Sequence, residues 1–294
     1  MSDHVRQAVV DFRPGAGGIA RRELAASRIS AARSALANCQ LCALRCGANR
    51  LAEGRGPCGA GLDTSYFTAQ LESGDELQLT PTFAIALSGC NLRCKFCITG
   101  ESSWNPRAGR LLDIPTVVNG AIKALEKGAR SIMVLGGEPT IHCPALLSLV
   151  STLPDSARLA IKTNGYYTLE ARELLGGLFD DWVIDYKFGN NTCAASVAMA
   201  QDYLPVLHEN LAWAATNSHL IIRHLLLPGH VDCCWQPIAR WIATNIPDVE
   251  LNLNLAYWPA WQALRCNGIG RLLSDDERRK ALVISREFSL NLIQ

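Results

Sequence analysis

The sequence predicts an α/β fold. Six parallel strands alternate with helices, in a sheet that is open or closed into a partial barrel, behind a cysteine-rich N-terminal segment. Three observations lead there. Six short runs are rich in Ile, Leu and Val, as strands covered on both faces require. Amphipathic stretches of helical period lie between them. A glycine- and cysteine-rich segment precedes the first run and has too few large apolar residues to form a core of its own.

In chain order, residues 1–37 read as a loose leader with a Pro-Gly-Ala-Gly-Gly break at 14–18, followed by a short helix. Residues 38–80 form the cysteine-rich, metal-binding segment, residues 81–260 the sheet-and-helix unit, and residues 261–294 a C-terminal loop and helix. The six strands are expected at Thr82–Ser88, Ser131–Leu135, Leu159–Thr163, Trp182–Tyr186, Leu220–Leu227 and Val249–Tyr257. Helices are expected over 115–127, 144–152, 168–176, 192–216 and 235–245. The first carries the stripe Ile114, Val117, Val118, Ala121, Ile122 and Leu125, with Pro115 suited to a first turn.

Composition narrows the function. The 294 residues are 49% hydrophobic and 19% charged, with a formal net charge of +1, so no basic excess points to nucleic acid. No run of 18 apolar residues predicts a membrane span, and no apolar run of signal-peptide length marks the N-terminus. A cytoplasmic protein is expected. Its twelve cysteines then read as metal ligands rather than disulfides, because seven of them fall into two tight clusters.

In SGCNLRCKFCITG, Cys90, Cys94 and Cys97 are spaced Cys-x3-Cys-x2-Cys directly after the first strand. That places them on the first βα loop, at the functional end of a parallel sheet. Three thiolates on one loop can hold three irons of a cubane cluster and leave the fourth iron open for a substrate. A zinc knuckle would want a fourth ligand, and no His or Cys stands close by in sequence.

This pattern, with Phe96 before the last cysteine, resembles the radical S-adenosylmethionine superfamily. The resemblance implies a partial (βα)6 radical-SAM barrel, a [4Fe–4S] cluster on Cys90, Cys94 and Cys97, and S-adenosylmethionine as the open iron's ligand. Electron transfer from the cluster would cleave that cofactor to a 5′-deoxyadenosyl radical that abstracts hydrogen. Gly136-Gly137-Glu138-Pro139 matches the family's GGE-P element, where glycine backbone and a carboxylate receive the cofactor's amino group. Across roughly residues 38–260 the match narrows to glycyl-radical-enzyme activases and the PflX-like relatives of pyruvate formate-lyase activating enzyme. Thr163-Asn164-Gly165, Asp185-Tyr186-Lys187 and Arg223-His224 through Pro228-Gly229 resemble their TNG, D-x-K and RH-x-x-x-PG elements. The resemblance puts Lys187 and His224 at the cofactor carboxylate. Where the activases carry an acidic residue that helps to hold a monovalent cation, this chain has Lys162, expected to pair with Asp185 or with the cofactor.

Cys39, Cys42, Cys46 and Cys58 are spaced to hold either an auxiliary [4Fe–4S] cluster or a structural zinc, and the flanking glycines let the backbone wrap a metal. Cys143, Cys193, Cys233, Cys234 and Cys266 show no ligand spacing and are expected as core or surface thiols. Trp104, Trp258 and Trp261 fall near loop ends on the functional side and are expected in packing. Three functions follow: activation of a glycyl radical enzyme, radical modification of a peptide or small metabolite, or a non-catalytic iron–sulfur or zinc protein. An electron donor such as flavodoxin or ferredoxin is the implied partner, with a protein or peptide as a further possible substrate and neither nucleic acid nor membrane involved.

Overall fold

The computed structural model describes residues 19–74 and 76–293. The leader expected before the first helix lies for the most part outside them. Eight strands form one sheet: β1 (Ser65–Glu72), β2 (Thr82–Leu87), β3 (Arg110–Leu111), β4 (Ser131–Gly136), β5 (Leu159–Thr163), β6 (Asp181–Asp185), β7 (His219–Leu225) and β8 (Glu250–Asn254). Their order is β3-β1-β2-β4-β5-β6-β7-β8, and the sheet does not close. From β2 to β8 every neighbouring pair is parallel. These six strands are the six expected. The two additions, β1 and β3, are antiparallel and extend the sheet beyond β2.

The helices among the described residues are α1 (Arg21–Ala35), α2 (Glu101–Trp104), α3 (Ile114–Glu126), α4 (Cys143–Val150), α5 (Leu169–Leu175), α6 (Asn191–Ala198), α7 (Tyr203–Asn217), α8 (Gln236–Asn245) and α9 (Asp275–Glu287), with the short α2 on the cavity side, where its Ser103 and Trp104 line the wall. α3 begins at an N-cap, Asp113, whose carboxylate accepts from Thr116 N–H, and it buries Val117, Val118, Ala121 and Ala124. The single helix expected over 192–216 is two, α6 and α7. The chain breaks at Met199 and Asp202, both at positive φ. No helix among the described residues is long and apolar enough to cross a membrane.

Strand alternation sorts the side chains into two layers. Ile85, Ile132, Val134, Ile161, Trp182, Ile184 and Ile222 face the helices in the main core. On the other face Met133, Ala160, Val183 and Ile221 form a small apolar floor with Leu79. Below that floor Arg158, Asp181, His219 and Glu250 form an ion-pair network. Above it, two residues further along each strand, lie Leu135, Lys162, Asp185 and Arg223, on the wall of a cavity of about 430 Å³.

Candidate active site

The cavity opens at the C-terminal ends of the parallel strands, and Cys90, Cys94 and Cys97 all line it. Cys90 and Cys94 are buried and Cys97 is half-buried. Their loop is fixed from several sides. Arg93 and Lys95 N–H donate to the carbonyls of Ala198 and Val197 at the end of α6 (2.9 and 3.0 Å). Asn91 Nδ2 donates to Tyr166 O (2.9 Å), and Asn164 Nδ2 donates to Asn91 Oδ1 (2.8 Å) while lying 3.7 Å from Cys90 Sγ. Phe96 packs edge-on against buried Phe188. His142, which sequence reasoning missed, sits under the start of the loop. Its Nε2 donates to Ser88 O (2.8 Å), which leaves Nδ1 to accept from Thr64 Oγ1 (3.1 Å). Burial lowers its pKa to about 3. Burial also pushes the thiols up, Cys94 to about 12, although Lys187 pulls against that shift.

Gly136 and Gly137 also line the cavity. A Cβ on Gly136 would stand 2.3 Å from Leu87 N and O, and one on Gly137 would stand 1.9 Å from Gly89 O. Only glycine fits, so bare backbone forms this wall. Glu138 is different from expectation. It is fully buried behind the wall and its carboxylate is used up. Oε1 accepts from Thr140 N, Thr140 Oγ1 and Thr163 Oγ1 (3.1, 2.7 and 2.6 Å), and Oε2 accepts from Asn164 N (2.8 Å). It clamps the turn after β4 to the turn after β5 and does not line the cavity, so it is not placed to receive an ammonium.

Lys162 lines the cavity but does not pair with Asp185. Its Nζ bridges both oxygens of buried Glu76 (2.9 and 3.0 Å). Asp185 pairs instead with Lys187 (2.6 Å) and Arg223 (3.5 Å). Burial alone would raise the pKa of Asp185, but Lys187, Arg223 and Lys162 hold it well below the usual carboxylate range. Lys187 stands on the cavity wall as expected. His224 does not. Alternation along β7 puts Arg223 and Leu225 on the cavity side and His224 on the helix side. There it stacks on Trp235 and its Nδ1 donates to Tyr186 O (2.6 Å). The period of two, counted from apolar Ile221 on the inner face, was the signal that could have found Arg223.

The N-terminal cysteines abut this site. Cys39, Cys42 and Cys58 are buried and Cys46 is exposed. Burial pushes Cys42 up to about 12, the Asn91 side chain, next to Cys90, pulling against that shift, and Arg93 donates to Pro57 O, next to Cys58. Buried Arg50 donates to the carbonyls of Gly61 and Ile141 and lies 3.7 Å from Cys39 Sγ. A buried guanidinium needs an anion nearby, and the group it faces is the thiols. That charge suits a thiolate-ligated metal.

Three cysteine donors on one wall and a glycine backbone cradle beyond them fit a cluster bound through three of its irons with S-adenosylmethionine at the fourth. Fold and site together define the class: the chain belongs to the radical SAM superfamily, whose sequence profile matches residues 85–242. It is 30% identical over 281 residues to the uncharacterized protein MJ0674 of Methanocaldococcus jannaschii, covering 90% of this chain and 79% of that one. A shorter match, 32% identical, joins it to the 7-carboxy-7-deazaguanine synthase of Methanothermobacter thermautotrophicus over 36% of this chain and 42% of the synthase. Among solved structures, Streptococcus suis SuiB bound to precursor peptide SuiA is similar in fold, with a TM-score of 0.52 at 15% identity over 69% of this chain and 46% of SuiB. This is a radical SAM enzyme.

Proposed function

We propose that this enzyme abstracts a hydrogen atom from a peptide or protein segment presented to its open cavity, activation of a glycyl radical enzyme being the specific form favoured. One observation carries the reading. The cavity rim bears large apolar side chains in the open, Ile98 at 84% and Trp258 at 68% exposure. Leu264, close to Trp258 in sequence, is also exposed. Such a rim suits a macromolecular partner that would cover it.

Cys90, Cys94 and Cys97 would hold a cluster that, when bound, would supply the one electron needed to cleave S-adenosylmethionine to methionine and the 5′-deoxyadenosyl radical. The chain's own residues bind and orient. Backbone at Gly136 and Gly137 takes the ammonium end of the cofactor. Lys187 keeps donors free beyond its bond to Asp185 and, with Arg223, takes the carboxylate end in place of His224. Glu138 holds the two binding turns in register. Cys39, Cys42, Cys46 and Cys58 would hold an auxiliary [4Fe–4S] cluster, and the bond from Arg93 of the Cys90 loop to Pro57 O, beside Cys58, suits delivery of an electron from a flavodoxin or ferredoxin.

The test is anaerobic. Protein reconstituted with iron and sulfide is reduced with dithionite, and 5′-deoxyadenosine is measured beside a Cys94→Ala control, with and without a glycyl radical enzyme. Product well above the control, together with a glycyl radical signal on the partner, is expected. Product no higher than the control would overturn the enzymatic reading. Product without transfer to any peptide or protein would overturn the substrate class.

A further inference from the structure

Outside the cavity, four side chains that show no ligand spacing in sequence come together. Cys193, His230, Cys233 and Cys234 each offer one ligand atom, and these atoms all lie within 4.8 Å of one another. It is the one such group among the described residues. We infer that this is a second kind of metal site in the protein, a Cys3His site for a single zinc ion.

The separations favour one ion. Zinc–sulfur bonds of 2.3 Å in a tetrahedron put the sulfurs roughly 3.8 Å apart. Cys193 Sγ to Cys233 Sγ and Cys233 Sγ to Cys234 Sγ are both 3.9 Å. Soft thiolates with one imidazole are a structural zinc set, four ligands with no open position.

Local structure explains how adjacent cysteines share one centre. Val231–Trp235 is a π-helical turn, closed by Trp235 N–H donating to His230 O (3.0 Å). Its wider turn re-aims Cys233 and Cys234, and such turns are frequent at functional sites. Gly189 makes room for it, since a Cβ there would stand 2.2 Å from Cys234 O. Cys193 comes from the first turn of α6. The surroundings are those of a ligated metal. His230 Nδ1 lies 2.9 Å from Pro228 O, an acceptor, so in the neutral ring Nδ1 carries the proton and Nε2 keeps its lone pair. Asn190 Nδ2 points at two of the sulfurs, 3.2 Å from Cys193 Sγ and 3.7 Å from Cys234 Sγ.

The site has a mechanical consequence. α6 carries Cys193 at one end, and at the other its Val197 and Ala198 carbonyls hold the backbone of Lys95 and Arg93 in the cluster loop. Zinc on Cys193 would tie that helix to the loop after β7 and so brace the Cys90–Cys97 loop from outside.

Zinc and iron are measured by mass spectrometry in the full-length protein after desalting, for wild type, Cys193→Ser, His230→Gln and Cys39→Ala. The Cys193 and His230 variants are expected to lose about one zinc equivalent relative to wild type, while Cys39→Ala keeps it. An unchanged zinc content in the first two, or a loss of iron in place of zinc, overturns the site. Wild type decides the matter if the variants do not fold. Alkylation of Cys193 and Cys233 is expected to be slow until a chelator withdraws zinc and fast afterwards. A Cys193–Cys233 disulfide, or reactivity indifferent to the chelator, would equally overturn it. None of these readings depends on cofactor cleavage.

Discussion

Asp185 sits among three cations. Lys187 and Arg223 pair with it, and Lys162 adds its charge from a bridge to Glu76. The carboxylate's charge is thus already met by side chains where an activase would recruit a monovalent ion. The expected outcome is that cofactor cleavage runs at the same rate in choline, sodium and potassium salts. A strong rise with sodium or potassium would sink the idea. How legible these residues were differs case by case. Cys90, Cys94 and Cys97 were readable because their spacing is local. Glu138 and His224 were readable as motif members but not in their placement. A motif says which residues meet at a strand tip, whereas the face each side chain takes is set by the pleat, one residue's shift reversing it. Lys162 was visible as a departure. Its partner Glu76 was not, because 86 residues separate the two and no local pattern joins them.

At the scale of elements, the six parallel strands stood out because burial on both faces makes them continuous apolar runs. β1 did not. It is an antiparallel strand near the sheet's edge with mixed, half-exposed residues, and it lies within the 38–80 stretch read as a metal-binding segment. β3 is two exposed residues long, too short for any periodicity. The junction between β4 and the loop after β2 is where strand geometry and site geometry meet. Glu138 N–H donates to Gly89 O (2.8 Å) just before Cys90, and Gly137 packs against that same carbonyl. Gly137→Ala is therefore expected to cost about 3 kcal/mol, the upper range for overpacking, and to lower the iron retained after reconstitution. Gly128→Ala, at φ +95 but with nothing within 4 Å of the added methyl, is expected to cost about 1–2 kcal/mol and to leave iron unchanged. Urea midpoints and iron content of both variants test this. Equal iron loss in the two would mean that iron retention follows overall stability and not the close contact at Gly137.

For the whole molecule, several buried or half-buried histidines set an acid limit on the fold. His142 sits at about 3 and His208 and His224 at about 4, each lowered chiefly by burial. Above the ordinary value of 6.5 such a ring is neutral folded and unfolded, so it contributes nothing to pH dependence. Below 6.5 the unfolded chain takes up the proton and the native one does not, so stability falls with pH until the folded pKa is reached. For fully buried His142 and His224 the fall from pH 6.5 to 5 is about 2 kcal/mol each, and less for half-exposed His208. His219 runs the other way. Its bond to Asp181 raises its pKa, with burial opposing, so its contribution is full below 6.5 and is lost as pH rises through the folded value. Three destabilising titrations against one stabilising, partly exposed one predict a net loss of stability on acidification. Urea unfolding of the cluster-free chain at pH 7 and pH 5 measures it. His224→Gln keeps a donor for Tyr186 O and removes one titration, so its stability is expected to fall less steeply than wild type over that interval. A slope no shallower than wild type's would mean that His224 takes up its proton without unfolding, and that the packing against Trp235 opens more easily than its burial implies.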